Sequence, residues 1–220
     1  MEFSRGGIGM FAKRLQYKLS EVFESEYLKE IQPLGTICLN EGTDTGRMEL
    51  IVHLKNLGIL IENFDKKKRC EFLLRKSGYY GKCADYALFE LIEEDKYKLH
   101  IFELTTTVGV MKWVYKIKPQ VKSAYLNCLA IAACLEIQVV DTMFYTVFEN
   151  DEFDLFKDSE SYSTDIALLK GGFDNARLTP KYEWENGISR LNFGNYKNFA
   201  HTKIQVAKST NTYPTGIFSL

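Results

Sequence analysis

The stretch that decides the fold is residues 85–107, DYALFELIEEDKYKLHIFELTTT. Residues 85–92 are rich in aromatic and aliphatic side chains and read as a strand, Glu93, Glu94, Asp95 and Lys96 as the polar tip of a hairpin, and residues 97–107 as the returning strand. The two strands are therefore expected to be antiparallel neighbours. Asp85 opens the first of them. Glu103 sits in the second among Leu99, Ile101, Phe102 and Leu104, where an ionisable group is costly unless it faces a cleft or is paired. Two carboxylates on adjacent strands meet the need of metal-assisted phosphodiester hydrolysis, which takes hard oxygen ligands on rigid elements with open coordination positions. The plainer alternative makes Asp85 a turn terminator and Glu103 the cross-strand partner of a Lys or Arg.

Upstream, residues 70–75 read as a further strand and Ser77 and Gly78 as a turn. Lys66, Lys67, Lys68 and Arg69 are either a solvated turn or a phosphate-contacting patch. Phe11, Leu15, Leu19, Val22, Phe23 and Tyr27 recur at helical spacing and predict an amphipathic helix over 11–31, stopped by Pro33 and Gly35. Met48, Ile51, Val52 and Leu54 suggest a second helix over 46–56, before the apolar run Ile59, Leu60, Ile61.

Downstream of Gly109 comes a connector with Trp113 and Tyr115, then a helix from Pro119 to about residue 136 whose apolar stripe is Val121, Tyr125, Cys128, Ala132 and Leu135. The β-prone run at 137–148 completes a hairpin, helix, strand succession. Residues 149–164 are acidic and Ser-rich, as in a surface loop; beyond them Tyr182, Trp184, Phe193, Tyr196 and Phe199 are interleaved with Gly, Asn and Lys. The expectation is a single α/β domain over 1–220, a mixed central sheet flanked by helices, with its core at 70–148 and an appended α+β extension at 149–220.

Composition narrows the function. With 28 Lys+Arg against 29 Asp+Glu, no global field draws the chain to nucleic acid or an acidic membrane, so a polyanion needs a local patch. Cys38, Cys70, Cys83, Cys128 and Cys134 are odd in number and never spaced as Cys-x-x-Cys, against a disulfide framework or a zinc site. Gly6, Gly7 and Gly9 interrupt the start and no apolar run reaches the ~18 residues of a membrane span; a cytoplasmic location and no membrane partner are expected. Walker, dinucleotide-binding, Gly-x-Ser-x-Gly and zinc motifs are absent.

An acid opening one strand, a hairpin, and an apolar strand carrying a Glu, followed by a helix, resembles the PD-(D/E)XK nuclease superfamily. The matching residues are Lys82, Cys83, Ala84, Asp85 and then Ile101, Phe102, Glu103, Leu104, Thr105, within a resemblance that covers 70–148. It implies a restriction-endonuclease-like core and Mg²⁺ or Mn²⁺ on Asp85 and Glu103. A further acid from the preceding helix would be Glu21, or Glu24 on the same face. Gln120 resembles the Gln that RecB-like branches place at the start of the next helix. The implied activity is a nuclease of restriction, repair or anti-phage defence type, with DNA before RNA as the partner.

Thr105 departs from the pattern. Residues two apart on a strand face the same way, so the family lysine after the Glu points at the metal and the attacking water. A threonine supplies no positive charge there. Lys82, Lys112, Lys116 and Lys118 are the candidates to replace it, with Lys82 preferred because it lies three residues before Asp85. The alternative is a catalytically inactive nuclease-like subunit that binds nucleic acid, a protein partner or a second copy of itself; near-neutral charge favours a protein partner. His53, His100 and His201 are too scattered for a metal set, and Cys83 without a neighbouring His reads as core packing.

Overall fold

Alternation along the central strand sends Tyr97, Leu99 and Ile101 into one core and Phe102 and Leu104 into another, so this strand is covered on both faces. A computed structural model describes residues 17–18, 28–43, 46–62, 83–154, 179–207 and 214–220. Its strands are β1 (Lys29–Ile31), β2 (Thr36–Thr43), β3 (Gly46–His53), β4 (Gly58–Ile61), β5 (Tyr86–Glu93), β6 (Lys96–Val108), β7 (Gln138–Asp151), β8 (Ile188–Asn192), β9 (Tyr196–Gln205) and β10 (Thr215–Ser219). Between β6 and β7 a helical stretch runs through α1 (Val110–Lys112), a π-helical turn (Trp113–Ile117) and α2 (Lys118–Leu135); α3 (Pro180–Glu185) precedes β8. The class is mixed α/β.

A seven-stranded sheet has the order β1-β4-β5-β6-β7-β9-β8, and a three-stranded sheet the order β10-β3-β2. β4, β5 and β6 form an antiparallel meander, while β7 returns parallel to β6 through the helix, and β9 lies parallel to β7. The π turn and helix α2 cover one face: Ile117 of the turn and Val121, Ala124, Cys128 and Ile131 of α2 pack with Phe89, Leu99, Ile101 and Phe144. The small sheet covers the other, with Leu39, Met48, Leu50 and Val52 against Leu88, Phe102, Leu104 and Tyr145. Residue Tyr86 ties these layers: its hydroxyl donates to the Asn40 carbonyl at 2.8 Å and accepts from the Asn40 N–H at 3.0 Å.

A buried polar chain lies on the small-sheet side. Glu90 Oε2 is 3.1 Å from His100 Nε2, His100 Nδ1 is 2.9 Å from the Tyr145 hydroxyl, and Asn56 donates to Glu90 Oε1 at 3.0 Å. Burial lowers the His100 pKa. A neutral ring that donates from Nε2 and accepts at Nδ1 satisfies all three bonds, a tautomer assigned from the network.

Several expectations need correcting. Residues 46–56 are not a helix: Met48, Leu50 and Val52 are fully buried at alternate positions, the period of a strand, and β3 is held between β2 and β10. The helix expected to reach residue 31 gives way to β1, whose Lys29–Ile31 pairs with β4; residues 17–18 are helical. The connector with Trp113 and Tyr115 is helical, because Trp113 and Ile117 are buried in the helix-side core. Residues 149–151 continue β7. The last quarter supplies α3, β8, β9 and β10, and two of its strands extend the main sheet itself. The strand expected at 70–75 lies outside the described residues.

Candidate active site

The register of the hairpin brings the two acids together. Tyr86 pairs with Phe102, so one step further along the antiparallel ladder Asp85 stands opposite Glu103. Ala87 and Phe89 on one strand, and Leu99 and Ile101 on the other, belong to the helix-side core; alternation puts Asp85 and Glu103 on that same face. The Leu104 N–H donates to Asp85 Oδ2 at 2.7 Å, which fixes the carboxylate at the C-terminal end of β6.

Glu103 is fully buried and neither of its side-chain oxygens has a hydrogen-bond partner among the described residues. Burial pushes its pKa well above the ordinary carboxylate range, the charges of Asp85 and Glu41 push it the same way, and Lys116 opposes them. A dry carboxylate facing another carboxylate is expensive as an anion. It takes up a proton or a cation.

The cation present comes from the helix. Lys116 Nζ is 3.5 Å from Glu103 Oε1, with 40% of the lysine side chain exposed against 1% for the glutamate; at that distance the two form an ion pair rather than a hydrogen bond. Lys116 belongs to the π turn, closed by the Lys118 N–H donating to the Trp113 carbonyl. A π turn adds a residue to the helical repeat and so re-aims the side chains beyond it, a device found often at functional sites. With Trp113 and Ile117 inserted in the core, Lys116 reaches across to β6. Lys112, one turn earlier, has its pKa lowered by burial and then by Lys116, while Glu41 and Glu103 act in the other direction. Glu41, Asp85, Glu103, Lys112 and Lys116 thus share one electrostatic neighbourhood.

The other expected site residues fare differently. Thr105 is buried on β6 and its hydroxyl donates to the Thr107 carbonyl at 3.1 Å. Gln120 does not meet the carboxylates directly; its Nε2 donates to the Cys83 carbonyl at 3.1 Å, tying α2 to the segment that delivers Asp85. Lys118 is held by Glu183 at 2.7 Å on the other side of the helix. Lys82, Glu21 and Glu24 lie outside the described residues. Cys83 is buried beside Ser123 and Asn127 at 3.5 Å. His53 is exposed and bonded to Thr36 at 3.0 Å, and buried His201 contacts Thr146 at 3.0 Å.

Sequence reasoning missed Glu41. On β2 it follows Ile37 and Leu39 in the inward-facing series, and an acid continuing an apolar alternation is the signal that would have found it.

Oxygen donors alone at Asp85 and Glu103 suit a hard divalent cation, and the buried, unbonded Glu103 carboxylate is the feature such an ion would compensate. No group of three His, Cys, Asp or Glu side chains is placed to hold a metal among the described residues, so water or substrate oxygens would complete the coordination. No helix among the described residues is long and apolar enough to cross a membrane. Comparison with protein-family models, curated proteins and solved structures finds no match.

Proposed function

We propose that the protein is a divalent-metal-dependent nuclease with a restriction-endonuclease-like core, in which Asp85 and Glu103 hold Mg²⁺ or Mn²⁺ and Lys116 replaces the lysine that Thr105 displaces. The observation that carries this reading is the meeting of two opposed carboxylates with one ammonium group 3.5 Å from the buried member. The meander β4-β5-β6, the helix and parallel β7 are the scaffold it needs. A metal bound here would polarise a phosphodiester oxygen and ease deprotonation of water.

The chain's own contribution is positional. Asp85, pinned by the Leu104 N–H, and Glu103, locked in the core, present their oxygens from adjacent strands. Lys116 offers fixed positive charge to the phosphoryl oxygens as negative charge grows on them, while water forms the new P–O bond and the bridging P–O bond breaks. Gln120 steadies the approach to Asp85.

A second reading, a nuclease-like subunit without catalysis, is favoured by Thr105, whose hydroxyl is already spent on the Thr107 carbonyl. Cleavage of labelled single- and double-stranded DNA and RNA in Mg²⁺ or Mn²⁺ separates the two. EDTA-sensitive cutting that Glu103→Gln abolishes supports the nuclease; no cutting of any substrate, with a co-purifying protein partner, supports the subunit.

A further inference from the structure

We propose that the hairpin of β8 and β9 is a stacking platform for a single nucleic-acid strand, a binding surface separate from the carboxylate site. All 29 acidic residues of the chain precede residue 186, whereas Arg190, Lys197, Lys203 and Lys208 follow it. A chain that is neutral overall therefore ends in a segment that is purely basic. Arg190, Lys197 and Lys203 have no ion-pair partner among the described residues.

The cations are set on aromatic rings. The Arg190 guanidinium lies 4.1 Å from the centroid of Tyr196, across the β8–β9 ladder in which Asn192 pairs with Tyr196 and Arg190 with Asn198. Tyr196 remains 56% exposed, so with one face on the guanidinium its ring still meets solvent. On the opposite, helix-side face of the hairpin, Lys197 lies 5.4 Å from the buried Tyr125 ring and donates to its hydroxyl at 3.1 Å. Lys122 lies 5.3 Å from Phe193. The turn carries Gly194 at φ +99, and Asn192, Asn195 and Asn198 stand exposed around it.

An exposed ring beside a fixed cation is what an unpaired base and its phosphate bind: Tyr196 stacks and Arg190 neutralises, with exposed Asn192 and Asn198 on the same face. A duplex hides its base faces and asks for a longer phosphate-tracking surface than the face carrying Arg190 provides. β8 is also the last strand of the sheet, and edge cations alone would protect it from pairing with another chain. Edge protection does not require the cations to be seated on rings. Along the sheet, Glu103 is level with Thr146 and Thr146 with Lys203, so Tyr196 lies roughly 20–25 Å back along β9 from the level of the carboxylates.

The test is fluorescence anisotropy in EDTA with labelled oligothymidine and oligouridine of about twelve nucleotides and a duplex of equal length, in a Glu103→Gln background so that binding is read apart from cleavage. Both single strands are expected to bind more tightly than the duplex, the two arms showing whether DNA or RNA is preferred. Tyr196→Ala should weaken single-strand binding on the order of tenfold, Tyr196→Phe should stay close to the parent, and Arg190→Gln should weaken binding and flatten its salt dependence. Unchanged melting temperatures check folding. No binding at low salt, equal affinity for duplex, or a Tyr196→Ala variant that binds like its parent would overturn the proposal. Persistence of this binding in a protein that cuts nothing would leave it standing while the nuclease reading fell.

Discussion

Lys116, on a π-helical turn, reaches to within 3.5 Å of Glu103 on the central strand, so an ammonium group meets the buried carboxylate from the helix rather than from position 105. The relationship leaves Glu103 with a raised pKa, because burial and Asp85 push it up while Lys116 only partly offsets them.

The first prediction concerns that shift. An acid whose pKa is raised in the folded state binds more protons than in the unfolded chain, so stability is fully present below the ordinary Glu value of ~4.3 and is lost as pH rises through the raised value. Wild type should lose melting temperature across this window relative to Glu103→Gln. Parallel pH profiles for the two proteins would show that Glu103 ionises as an ordinary carboxylate.

The second concerns charge. Lys116→Met should lower the cleavage rate on the order of 10²–10³-fold, the scale for losing one preorganised electrostatic group, and should raise the Glu103 pKa further. Lys112→Met, one turn away, should cost less. Equal losses at both positions would mean that bulk positive charge, not the Lys116 contact, sets the rate.

The third addresses position 105. With Lys116 in place, Thr105→Lys buries a second ammonium beside the first, and activity should fall or stay level. In a Lys116→Met background the same substitution should recover part of the lost rate. A gain in the otherwise wild-type protein would show that Lys116 does not fill the family lysine's role.

The fourth tests the tether. Gln120→Leu leaves the Cys83 carbonyl without its α2 donor and should cost about 1–3 kcal/mol of stability, with a larger relative loss of cleavage than of melting temperature because Asp85 loses its fixed approach. Gln120→Glu, whose ionised carboxylate has two acceptor oxygens and no donor, should not rescue it at neutral pH.

The β5–β6 hairpin, the helix from about Pro119 and the β7 run are legible in the sequence because each carries a local pattern: a polar tip between two apolar runs, an apolar stripe, a β-branched stretch. β3 is not, because Ile51 counts with Met48 and Val52 toward a helical period, where the buried set is Met48, Leu50 and Val52; the choice between periods is made by β2 and β10, which pair with it from outside the segment. The closeness of Asp85 and Glu103 can be read from the hairpin, but not their exact pairing: the tip's own register would set Asp85 opposite Leu104, and the bulge between Leu91 and Glu93 shifts it to Glu103. Lys116 stands as one candidate among several because its direction depends on a π turn, which no periodicity in the sequence announces, and Glu41 joins the site only when the small sheet docks.

The most direct test of the account is calorimetric titration of Mg²⁺ and Mn²⁺ into wild type, Glu103→Gln and Asp85→Asn, run across a range of pH. The account predicts binding to wild type that strengthens as pH rises, since the metal competes with protons for a carboxylate whose pKa is raised, and loss of that binding in both variants. Binding that is absent in wild type, or that survives unchanged in Glu103→Gln, would contradict it.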